Sequence, residues 1–336
     1  MKISTQVINR HTPLTLTKVK SLKNRIVVPA MASGTATTDG FVTEKTIAHY
    51  ERLVKSGAGL IIGEYTYISP EGRSEENQLG AHSADHVPGL KSLAAMLKQK
   101  GALAGLQLTH AGGKSSTDLT GGKLWAPSSI PTPVKGKILE TPLEMSVLKI
   151  SELKNLFLEA AHRAFQAGFD LIELHSAHGY GLNQWLSPLT NQRTDEYGGS
   201  LEGRTRLLLE IVQEINLQLP QLLISVRIPG QDFIPGGWSI DDSILLTKKL
   251  KSVGTSIVNV SSGIGGWQRP EPRQGEGYLV PEAKAIQKEV DIPIIAVGGI
   301  KTADYIDNGL TQKWFSLAAV GRAILEDPEG WQNYYL

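Results

Sequence analysis

Eight short apolar runs, rich in β-branched residues and each ending in Gly, Pro or a polar cluster, punctuate the chain. They begin near Ile26, Ala58, Ala102, Asp170, Leu222, Ser256, Pro293 and Phe315. Most are separated by amphipathic stretches at helical spacing. Between Ile150 and Ala167, for example, Leu153, Leu156, Phe157, Ala160, Ala161 and Ala164 fall on one face. Strands apolar on both faces, alternating with helices, predict a parallel sheet covered by helices. Eight such units predict an α/β protein with a closed (β/α)₈ TIM barrel, taken as a single domain over residues 1–336.

The longest interval between runs, about 112–145, is rich in Gly, Ser, Thr and Pro and has no helical period. It predicts a lid-like excursion after the third strand, built as a small hairpin, with Trp125 and Ile130 to bury. A length of 336 residues suits one barrel without a second domain. With 34 basic and 33 acidic residues the net charge is +1, so nothing in the overall charge draws the chain to nucleic acid or an anionic membrane. The amino terminus shows no secretory signal and no window is apolar enough to span a bilayer, which predicts a cytoplasmic location. Complete absence of cysteine removes disulfides, thiolate metal sites, cysteine nucleophiles and iron–sulfur clusters. Any redox chemistry must then come from a bound organic cofactor or a metal held by nitrogen and oxygen.

In such barrels the chemistry lies at the carboxyl ends of the strands. Strand four ends in His175, His178 and Tyr180, two imidazoles and a phenol that could donate to one substrate oxygen and deliver a proton nearby. A pair of histidines satisfying buried backbone groups, or a metal site, are the alternatives; no adjacent carboxylate completes a facial triad. Strands seven and eight end in Gly298-Gly299 and Gly321-Arg322, where barrels commonly hold a phosphate on backbone amides and a guanidinium. Gln107 and Arg227 sit inside otherwise apolar strands, so each needs a polar ligand at the barrel mouth or an internal partner. For Arg227 the candidate partners are Asp232 and Glu64.

The segments H-S-A-H-G-Y, L-S-P-L-T-N-Q-R-T-D-E-Y-G-G-S and E-G-R-T-R around strand four resemble the Old Yellow Enzyme family of FMN-dependent oxidoreductases. The resemblance extends to K-N-R-I-V-V-P-A-M near the start, Q-L-T-H-A-G on strand three and G-R-A-I-L-E-D-P at the end, covering about Leu22 to Pro328. It implies a TIM barrel holding FMN, with NADPH or NADH as reductant. Its activity would be reduction of activated C=C bonds in enones or enals, in ping-pong order. It further implies the FMN phosphate at Gly298, Gly299, Gly321 and Arg322, Gln107 on the flavin pyrimidine edge, and Arg227 near N1 and the C2 carbonyl. Pro29, Ala30, Met31 and Ala32 would run along the flavin edge, and Tyr65 would line it where a smaller residue is usual. His175 and His178 would bind the substrate carbonyl and Tyr180 would protonate the α carbon, with the Arg193 to Ser200 loop supporting the site.

Departures from the family pattern concern tuning: Ala32 replaces a Thr or Cys, Gly34 a substrate-facing Tyr, Gly113 an Arg and Gly203 an Asn. They keep two alternatives open: a flavin-binding barrel with little turnover, and a flavin-free, phosphate-binding isomerase or aldolase barrel. For the latter no lysine stands at a plausible strand end. Trp314, Trp331, Tyr334 and Tyr335 near the carboxyl terminus predict either docking on the barrel or a contact between subunits of a homo-oligomer.

Overall fold

The computed structural model describes residues 8–336. Eight parallel strands, β1 (Ile26–Val28), β2 (Leu60–Tyr67), β3 (Leu103–Thr109), β4 (Leu171–His175), β5 (Leu223–Pro229), β6 (Ile257–Ser261), β7 (Ile294–Ala296) and β8 (Leu317–Ala319), close into a barrel in sequence order. All eight apolar runs therefore become barrel strands. The covering helices are α1 (Glu44–Val54), α2 (Val87–Leu97), α3 (Val147–Gln166), α4 (Leu201–Gln218), α5 (Ile240–Ser252), α6 (Val280–Glu289), α7 (Ala303–Thr311) and α8 (Pro328–Tyr335). None is long and apolar enough to cross a membrane.

Alternation along each strand divides the core in two. Outward residues such as Ile26, Ile61, Leu106, Ile172, Leu174, Val226 and Val260 pack under the helices, together with Phe157, Ala160 and Ala164 of α3. Inward residues Val27, Leu60, Ile62, Leu171, Leu223, Ile257, Ile295 and Leu317 fill the barrel floor, which is closed from below by Leu14, Leu16 and Leu22 of an amino-terminal hairpin. Above that floor the inward positions turn polar: β4 runs Leu171, Glu173, His175, β5 runs Leu223, Ser225, Arg227, and β6 runs Ile257, Asn259, Ser261. An apolar base thus holds the barrel shut while the carboxyl ends of the strands point donors and acceptors into one mouth.

On β2 the pairing with β3 slips: Gly63 stands opposite Leu106, yet Tyr65 stands opposite Gln107. The extra residue, Glu64, is a bulge that brings Tyr65 into phase with the interior. Glu64 accepts from the Ser33 hydroxyl at 2.5 Å and the Ser33 amide at 3.2 Å, and its own amide donates to the Tyr50 hydroxyl at 2.6 Å. The bulge thereby anchors the segment after β1 against the barrel wall.

The excursion after β3 differs from the expected hairpin. Trp125–Ala126 pairs with Leu143–Glu144 in parallel, not antiparallel, because the intervening chain loops back over the first strand before pairing. What fixes it is Arg193, in the loop after β4. Its guanidinium donates to the carbonyls of Pro127 at 2.9 Å and Met145 at 2.7 Å, pairs with Asp195 and Glu144, and lies 5.5 Å from the Trp185 ring. Near the carboxyl end, Trp331 is buried and donates to the Lys301 carbonyl at 3.0 Å, Tyr335 packs on it and Trp314 packs on Tyr305, while Tyr334 is exposed.

Replacing Arg193 with Ala should leave the Pro127 and Met145 carbonyls unpaired and cost about 2–4 kcal/mol. Urea unfolding together with limited proteolysis checks this: the midpoint should fall and cleavage within 112–145 should accelerate, whereas unchanged values would show that the excursion is held elsewhere.

Candidate active site

A cavity of about 710 Å³ opens at the carboxyl end of the barrel. Its walls bring together Pro29, Ala30 and Met31 after β1, His178 after β4, Arg227 of β5, Gly298 and Gly299 after β7, and Gly321 and Arg322 after β8. Gly298 and Gly299 have φ of +115° and +72°. A Cβ on Gly298 would come 2.7 Å from the Leu279 amide nitrogen, and one on Gly299 would come 3.2 Å from the Arg322 guanidinium. The two glycines form a cradle that side chains would fill. Gly321 caps the short helix Arg322–Glu326, whose arginine is exposed at the cavity rim.

Beside this cavity stands a cluster of rings. His175 and His178 are 5.1 Å apart between centroids, His175 and Tyr180 4.9 Å, and Tyr180 and Tyr65 5.7 Å. A tight turn converges them: His178 takes φ +60° and Gly179 φ +77°. A left-handed histidine costs about 1–3 kcal/mol and persists only where neighbours impose it. Here its amide donates to the Ser262 carbonyl at 3.1 Å, its carbonyl accepts from Lys114 Nζ at 2.7 Å, and the Gly179 amide donates to Asn183 Oδ1 at 2.7 Å.

Burial first, then the nearby charges of Arg227 and Lys114, hold both imidazoles well below the ordinary histidine range, so they are neutral at physiological pH. Arg227 donates to Ser261 Oγ at 3.4 Å, and the same hydroxyl is hydrogen-bonded to His178 Nε2 at 2.6 Å, which links the guanidinium to the imidazole. Nδ1 of His175 is buried without a partner. Tyr180 is pushed up, chiefly by burial and then by Glu75, so it keeps its proton at neutral pH.

Gln107 lies one layer down. Its amide donates to Glu173 at 2.7 Å, and the other oxygen of that carboxylate accepts from Ser225 at 3.0 Å and Asn259 at 2.9 Å. Glu173 is also the carboxylate that opposes the loss of charge on Arg227, and neither expected partner serves. Glu64 is taken up by Ser33 and Tyr50, and Asp232 accepts from Ser187, Trp238 and Ile264. Ala32 follows Met31 and is exposed. Around Gly34, with φ +62°, there is open space for a side chain.

Several site residues escape the sequence reading: Glu173, Ser261, Lys114, and the loop residues Arg269 and Tyr278 that line the cavity. Glu173 carried a signal, a carboxylate inside an apolar strand two residues before His175. Lys114 carried none, because only folding brings the end of β3 over the turn after β4.

A glycine cradle, an unpartnered Nε on Arg227 and a neutral imidazole pair thus meet at one barrel mouth. The profile of the NADH:flavin oxidoreductase / NADH oxidase family matches residues 11–333. An NADPH dehydrogenase of Geobacillus sp. (strain WCH70) is 39% identical over 313 residues, 92% of this chain and 88% of that one. An NADPH dehydrogenase of Bacillus subtilis (strain 168) is 37% identical over 318 residues, 94% and 91% of the two chains. Among solved structures, morphinone reductase superposes with a TM-score of 0.82 at 26% identity, covering 98% of this chain and 91% of that one. The old yellow enzyme homologue from Zymomonas mobilis also gives 0.82, at 25% identity, with 96% and 90% covered. The chain belongs to the NADH:flavin oxidoreductase / NADH oxidase family, the Old Yellow Enzyme family, and is an FMN-dependent NAD(P)H oxidoreductase. That membership sets the flavin-free isomerase or aldolase alternative aside.

Burying His175 and His178 neutral has a sign that can be measured. Because their folded pKa lies below the unfolded value of about 6.5, the unfolded chain binds more protons as pH falls beneath it. Stability is complete above that pH and is lost on acidification, by about 1.4 kcal/mol per pH unit for each histidine. Urea midpoints between neutral and mildly acid pH should show a flatter dependence in the His175→Asn/His178→Asn double variant; an unchanged slope would mean that the pair is not buried neutral.

Proposed function

We propose that the enzyme reduces the activated C=C bond of α,β-unsaturated carbonyl compounds, the small-molecule enones and enals, with NADPH or NADH as electron source. The observation that carries this is the convergence of a neutral histidine pair and a protonated Tyr180 beside a cavity built for a phosphorylated ligand. When bound, FMN supplies two-electron hydride chemistry between the nicotinamide and the alkene.

The residues suit that cofactor. Gly298, Gly299, Gly321 and Arg322 would hold the phosphate in the cradle that a Cβ would fill. Pro29, Ala30 and Met31 would line one flavin edge, with Ala32 following and Tyr65 beyond. Gln107 would meet the pyrimidine edge. Arg227, with its orphaned Nε, would place positive charge beside N1 and the C2 carbonyl.

His175 and His178 donate to the substrate carbonyl oxygen, polarise the double bond and stabilise the negative charge that develops there as hydride reaches the β carbon. Each neutral imidazole keeps one ring N–H to donate. Tyr180 gives its proton to the α carbon, completing addition of one hydride and one proton across the bond. Its raised pKa keeps the proton in place until carbanion character appears. Both substrates would use one mouth, which makes the order ping-pong.

Purified protein should be yellow, bleach on addition of NADPH, and regain its colour with cyclohexenone. Tyr180→Phe should leave bleaching unchanged and slow recolouring by about 10²-fold or more. Stopped-flow absorbance separates the two half-reactions. Bleaching without enone-dependent recovery in the native enzyme would support the low-turnover alternative, and unchanged recovery in Tyr180→Phe would remove Tyr180 as the acid.

A further inference from the structure

Two donors beside Tyr180 make no contact that reduction of a simple enone would use directly. The first is Lys114, on the loop leaving β3. Its Nζ donates to the His178 carbonyl at 2.7 Å and lies 4.4 Å from the centroid of the Tyr180 ring. Burial lowers its pKa to about 8, with exposed Glu75 the acidic group opposing the fall. The other groups facing it are His175 at the end of β4, His178 and Tyr180 after it, and Arg227 of β5. Two of these are neutral imidazoles, one a protonated phenol and one a cation, so exposed Glu75 is the carboxylate that acts on its charge. The second donor is Tyr65, 7% exposed, whose hydroxyl makes no hydrogen bond of good geometry although Glu75 and Ser74 lie near it, and whose ring leans on Tyr180 at 5.7 Å. The bulge at Glu64 is what turns this residue inward.

A neutral enone offers its one acceptor to the histidine pair and leaves the Tyr65 hydroxyl and the remaining N–H donors of Lys114 unused. A carboxylate has negative charge for the ammonium and lone pairs to spare for the phenol. We propose that Lys114 and the Tyr65 hydroxyl form an anion subsite flanking Tyr180, and that the preferred substrates are α,β-unsaturated carbonyl compounds carrying a carboxylate beyond the alkene. This rests on the C=C reductase reading of the same site. Gly34 leaves open space after β1.

The test uses the FMN-loaded enzyme with β-acetylacrylate and its methyl ester, which differ in charge alone at the remote end. In Lys114→Met the ratio of kcat/KM for acid over ester should fall by about tenfold, mostly through KM, and Lys114→Arg should restore much of it. Tyr65→Phe should lower the same ratio by about threefold. As pH rises through about 8 the native enzyme should lose its preference for the acid, because the ammonium gives up its proton, while turnover of the ester holds. Calorimetric binding of levulinate, the saturated product, should weaken in step. An equal loss for acid and ester would overturn the proposal, leaving Lys114 with its bracing of the His178 turn alone. So would an unchanged ratio with a raised KM for NADPH in flavin bleaching, which would assign the ammonium to the nucleotide phosphates. If no enone recolours the flavin, the reductase reading fails, and levulinate binding alone then decides: Lys114-dependent affinity supports the subsite, and its absence overturns it.

Discussion

A single buried guanidinium organises the barrel mouth. Arg227 is 9% exposed, its Nε has no partner, and the nearest anion is Glu173, one layer down in the barrel. A charge placed this way must be balanced from beneath and then acts on everything above it. Beneath it, Glu173 is itself held by Gln107, Ser225 and Asn259, so the polar layer is a connected network resting on an apolar floor. Above it, the same charge helps keep both imidazoles neutral and is linked to His178 Nε2 through the Ser261 hydroxyl. The arrangement favours a ligand that gains negative charge as it reacts, which is what a flavin does on two-electron reduction.

Two backbone irregularities convert a regular barrel into a site. The bulge at Glu64 turns Tyr65 inward and ties the segment after β1 to the wall through Ser33. The left-handed pair His178-Gly179 folds the end of β4 back so that His175, His178 and Tyr180 meet, instead of following one another out of the barrel. Each costs local regularity, and each is held by hydrogen bonds to a helix or loop outside its own strand. Arg193 plays a comparable part farther out, where one side chain joins the excursion after β3 to the loop after β4.

The strands were legible because a parallel barrel needs both faces of each strand apolar, and few other segments of this chain are. The glycine pairs were legible because their position on the last two strands limits what they do. The polar gradient inside the barrel was written just as openly, in Leu171-Glu173-His175 and Leu223-Ser225-Arg227, yet it becomes readable only once the inward face of each strand is known. Without that face Asp232 and Glu64 looked as able as Glu173 to pair with Arg227, although both serve local turns and hydroxyls. The parallel pairing of Trp125–Ala126 with Leu143–Glu144 was beyond reach because loop composition does not encode strand direction. Lys114 came late for a similar reason, because its partner His178 is distant in sequence, while Tyr65 was named only through the resemblance and a bulge of one residue decides its direction.

The reduction potential of bound FMN measures most directly whether Arg227 governs the site. With Arg227→Met and Arg227→Lys compared at equal flavin occupancy, loss of the charge should make the two-electron potential more negative, and lysine should return it most of the way. A potential that stays the same in the methionine variant, with FMN still bound, would contradict the account.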